Sequence, residues 1–160
     1  MNNPNRKIFS MRSQNNGIAE RLPWKQCNIP VPDENLKVSF AIRHGHPFLA
    51  EFEREVILSG TPSDNIEIPI MYDSGCMTRV DVFWFSNGER TYLKFDDGYW
   101  CVVDVKAEDV VFSTIDIGNS FDSGEKNNEY FENLDWKHLG LIKYDSPDYE
   151  DGLLFEEIKQ

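Results

Sequence analysis

Between Ile66 and Ile117 the chain repeats one pattern five times. Short runs rich in Val, Ile and aromatic residues alternate with short polar breaks. The runs are Ile66–Tyr72, Arg79–Phe85, Arg90–Phe95, Tyr99–Val105 and Val110–Ile117. Asp73-Ser-Gly75, Ser86-Asn-Gly88 and Asp96-Asp-Gly98 separate three pairs of them. Gly and Asn tolerate the positive φ that tight hairpins demand, so this spacing predicts an antiparallel meander. Pro69 cannot donate to a ladder, which pushes its run toward a sheet edge or a bulge. In the second run Val80, Val82 and Trp84 alternate with Asp81, Phe83 and Phe85. A strand apolar on both faces reads as central, covered by a helix on one side.

The flanks add further elements. Leu36, Val38, Phe40 and Ile42 alternate, as in a strand. Pro47 suits the first position of a helix reaching about Leu58, with Leu49, Phe52 and Val56 as its buried stripe and Gly60 as its stop. A second helix is expected from about Asn128 to Leu139, where Tyr130 or Phe131, Leu134 and His138 share a face. Leu141–Tyr144 and Leu153–Ile158 are further short segments. The expected fold is therefore α+β: an antiparallel meander of about five or six strands with two helices packed on it. Residues 1–35, with four prolines, read as a partly extended N-terminal segment. Residues 36–160 form a single domain of ordinary size.

Three cysteines, Cys27, Cys76 and Cys101, stand far apart and in no CxxC pair. They suggest neither a disulfide framework nor a zinc site, and a reducing cytoplasm is the expected setting. No apolar run follows the basic residues near the start, so a signal peptide is not expected, and no run is long enough to span a bilayer.

The charge is lopsided. The chain carries −12 overall, yet residues 1–60 are slightly basic and residues 61–160 hold 22 acids against 8 bases. Such a field disfavours direct contact with nucleic acid or anionic membranes and draws in basic proteins. The acids are interleaved with aromatic residues, which act as anchors in protein interfaces. A binding surface is accordingly expected around Asp96, Asp97, Tyr99, Glu129, Glu132, Asp135, Asp148 and Asp151. The corresponding function is non-catalytic: neutralising a basic protein partner, most concretely as an immunity- or antitoxin-like inhibitor of a cationic toxin such as a nuclease. No cofactor or metal is expected, and oligomeric state is left open.

An enzymatic alternative rests on Asp81, Asp104 and Lys106. Nucleases of the restriction-enzyme type place one acid on a strand and an acid-x-Lys on another, where two carboxylates hold a divalent cation. Arg43-His44-Gly45 is also similar to the short Arg-His-Gly signature of phosphatases, without the second arginine that should follow.

Overall fold

The computed structural model describes residues 23–44, 52–60, 64–70, 79–114, 125–143 and 153–159. Among these residues it is built from ten strands and one short helix. The strands are β1 (Lys25–Ile29), β2 (Lys37–His44), β3 (Phe52–Ser59), β4 (Ile66–Pro69), β5 (Arg79–Ser86), β6 (Thr91–Asp96), β7 (Trp100–Asp104), β8 (Asp109–Ser113), β9 (Lys137–Lys143) and β10 (Leu154–Glu157). The helix α1 spans Glu125–Glu132.

The expected α+β fold is overturned. All pairings are antiparallel, and they form two sheets: four strands in the order β1-β2-β3-β4, and six in the order β10-β9-β5-β6-β7-β8. One apolar core lies between them. Val38, Phe40, Ile42, Phe52, Val56, Leu58, Ile66 and Ile68 of the smaller sheet pack with Val80, Val82, Trp84, Leu93, Phe95 and Val103 of the larger. Phe40 and Phe95 bring their rings to 6.1 Å across this interface. Burial of side chains of this size contributes about 1.5–3 kcal/mol each, so the facing layers dominate the stabilisation.

The first residues of the expected helix at 47–58 lie outside the described residues, and the rest, from Phe52, is β3. Phe52, Arg54, Val56 and Leu58 are buried, with less buried residues between them. That is a period of two, which belongs to a strand. Arg54 occupies an inward position, and its guanidinium donates to the Asp97 carboxylate at 2.6 Å. The second expected helix is also displaced. The helix ends at Glu132, and Lys137–Leu139 opens β9. β5 is central, as expected, lying between β9 and β6, but its inner face is covered by the other sheet instead of a helix.

The turns follow the sequence signals. Gly88 and Gly98 have φ of 89° and 105°. Asn87 Oδ1 accepts the amides of Glu89 and Arg90, and Asp96 Oδ1 accepts the amide of Gly98. β4, with Pro69, is an edge strand. It belongs to the smaller sheet, not to the meander of β5–β8. Residues 25–29, expected within an extended segment, pair with β2.

Candidate functional site

The outer face of the larger sheet collects the unusual side chains. Alternation turns Asp81, Phe83 and Phe85 of β5 outward, because Val80, Val82 and Trp84 face the core. The hairpin register then pairs Phe83 with Lys94 and Phe85 with Tyr92. On β7 the same face carries Trp100, Val102 and Asp104, opposite Asp96, Lys94 and Tyr92.

β9 reaches this face through a bulge. Val82 pairs with Gly140 but Phe83 pairs with His138, so β9 holds one extra residue, Leu139. His138 and Gly140 would share a face in a regular strand. The bulge sends Leu139 into the core and re-aims His138 outward. There His138 stacks on Phe83 at 4.5 Å, and its Nε2 lies 2.9 Å from Asp81 Oδ1. Arg79 donates to the same carboxylate at 3.1 and 3.2 Å.

Helix α1 covers one end of the face. Phe131 meets Tyr92 edge-on at 5.4 Å and packs on Phe112 at 5.7 Å. Trp136 is held just beyond the helix, where its indole N–H donates to the Phe131 carbonyl at 2.6 Å. The rest of the face is an aromatic frame around one amine. Lys94 Nζ lies 4.2 Å from the Phe83 ring centre, 5.0 Å from Trp136 and 5.4 Å from Trp100. Burial holds the Lys94 pKa below its ordinary value, while nearby Asp96 and Glu132 pull it back up. The ring faces provide part of the solvation that the ammonium loses.

The residues expected to form a surface separate into four groups. Asp96 and Glu132 lie close enough to act electrostatically on Lys94. Tyr99, which adjoins Trp100, is 56% exposed, and Glu129 and Asp135 are exposed as well. Asp97 does not belong to the surface: it is buried against Arg54, so the Asp-Asp-Gly turn contributes one rim acid and one core acid. Asp148 and Asp151 lie outside the described residues.

The residues of the enzymatic alternative are not brought together. Asp81 aligns with Asp96 and, through it, with Trp100, while Asp104 aligns with Tyr92. Four residues of strand separate the two levels, roughly 13 Å, with two strand spacings of about 4.8 Å in addition. Asp104 instead accepts the amides of Lys106 and Ala107 in the following turn, and Lys106 Nζ donates to the Gly88 carbonyl. Arg43 pairs with Glu53 at 2.7 Å and lies over the Trp24 ring at 4.4 Å; residues 45–51 lie outside the described residues. Among the described residues no three His, Cys, Asp or Glu side chains are grouped to hold a metal, and no helix is long and apolar enough to cross a membrane.

Sequence reasoning missed Phe83, Lys94 and His138 as parts of one site. The Phe83–Lys94 pairing was accessible, because closing the Asn-Gly hairpin at Ser86 and Thr91 fixes it. The His138 placement was not, since it depends on a bulge. Comparison with protein families, with curated proteins and with solved structures finds no match to this chain.

Proposed function

We propose that this chain is a non-catalytic binding protein that neutralises a basic protein partner through the outer face of its six-stranded sheet. The most concrete form is an immunity- or antitoxin-like inhibitor of a cationic toxin such as a nuclease. The observation that carries the reading is the half-buried aromatic frame of Phe83, Trp100 and Trp136 beside α1, bordered by Asp96 and Glu132. Flat aromatic surface supplies contact area at low entropic cost, and acids at its rim select and steer a cationic partner. The Lys94 charge does not oppose this, because it already lies between ring faces and two carboxylates. The −12 field of the whole chain acts in the same direction over longer range.

The test is capture of partners from native host extract at low and moderate salt, comparing the wild-type chain with Asp96→Lys/Glu132→Lys. The reading expects a basic protein held one-to-one by the wild type, weakened by salt and lost by the variant. Equal capture by both chains refutes the assignment of this face.

A further inference from the structure

A second concavity lies at the seam of the sandwich, where the chain leaving β1 approaches β9 and the segment after β10. It is an open groove of about 620 Å³, and its apolar wall is made by Pro30, Val31, Pro32, Leu139 and Ile158. Its polar lining is Lys137, His138 and Lys159 against the single acid Glu157. This local balance inverts that of the whole chain, which has 28 acids to 16 bases. Several other cations hold acids, Arg43 with Glu53, Arg54 with Asp97, Arg79 with Asp81 and Lys143 with Glu156, while Lys94 and Lys106 are held by aromatic rings and by the Gly88 carbonyl. Among the described residues no carboxylate pairs with Lys137 or Lys159. Two lysines lining one opening, in a chain with acids to spare, leave positive charge that an anion would neutralise.

We propose that this groove binds a small organic carboxylate with an apolar body. The size falls in the usual range for small-molecule sites, which combine mostly apolar walls with a few polar groups that fix orientation. Lys137 and Lys159 receive the carboxylate, and Val31, Leu139 and Ile158 cover the carbon chain. The groove is independent of the partner face: of the residues argued for that face, only His138 is shared, and the ammonium groups are not part of it.

Octanoate is the probe and 1-octanol its uncharged counterpart, titrated into the full chain by calorimetry. The groove predicts saturable binding of one octanoate per chain, with 1-octanol at least about tenfold weaker. Lys137→Glu/Lys159→Glu should weaken octanoate by about tenfold or more with an unchanged thermal midpoint. Lys37→Glu, a change at an exposed lysine on the other sheet, should leave it unaltered. Equal binding of octanoate and octanol, unchanged binding in the double variant, or no saturable octanoate binding up to roughly 10 mM overturns the proposal.

Discussion

Arg54 on β3 reaches through the core to Asp97, the residue after β6, and donates to its carboxylate at 2.6 Å. The Arg54 side chain is fully buried and that of Asp97 nearly so, at 4% exposure. The pair therefore joins the two sheets where only apolar contacts would be expected. The turn holds the acid in place, since Asp97 Oδ1 accepts the Tyr99 amide at 3.1 Å and the Asp97 amide donates to the Tyr99 carbonyl at 3.0 Å.

Removing one partner leaves the other charged and buried. Asp97→Ala and Arg54→Ala should each lower stability by about 3–5 kcal/mol. The double variant should lose less than the two losses added, because no lone charge remains. Urea denaturation of the three variants checks this, and strict additivity would contradict it.

Glu55 provides a pH signature on the other face of β3. Burial, helped by Glu67 and Glu53 and opposed by Arg43, pushes its carboxyl from 4.5 up to about 7. Between those values the folded chain keeps a proton that the unfolded chain has released, so stability falls as pH rises through this window. Glu55→Gln removes that dependence. It should stabilise by about 1–2 kcal/mol at pH 8 and change little at pH 4.5. Equal effects at both pH values in urea titrations would contradict the assignment.

Gly140 lies where β10 closes on β9. An added Cβ would meet the Glu156 carbonyl oxygen and come within 2.7 Å of the Phe155 ring. Gly140→Ala should therefore lower stability by about 1–3 kcal/mol. Amide exchange should quicken first in β10, whose ladder includes the Glu157–Gly140 pair. Uniform acceleration across both sheets would contradict this local effect.

Cys27 is held at a pKa of about 11 by burial. Its thiolate is scarce at neutral pH, and Cys101 is fully buried. With Cys76 replaced by Ser, the folded chain should react with a thiol reagent at pH 7.5 at least about a hundredfold more slowly than the urea-unfolded chain. Similar rates would contradict the raised pKa of the half-buried Cys27 and the burial of Cys101.

The meander β5–β8 was legible because its turns announce themselves in Asn-Gly and Asp-Gly pairs with paired apolar runs. Two features hid the rest. In β3 the inward Arg54 interrupts the apolar alternation, leaving Phe52 and Val56 at a helical spacing. Its compensating charge, Asp97, lies 43 positions away, so no local window explains an arginine in the core. In β9 the bulge at Leu139 breaks the two-residue period, and Leu134 with His138 imitates a helix face. The division into two sheets was likewise invisible, since the neighbour of β5 is β9 and no turn sequence records that pairing. The rim acids of the candidate site could be named from composition. The buried role of Asp97 and the aromatic frame around Lys94 required the register.

The most direct measurement is the association rate of the captured basic partner with the wild-type chain and with Asp96→Lys/Glu132→Lys, at low and at moderate salt. The account predicts that salt slows the wild type strongly, that the variant is slower at low salt by about tenfold or more, and that the gap narrows as salt rises. Identical rates for both chains at both salts would contradict the claim that this acidic, aromatic face is where the partner binds.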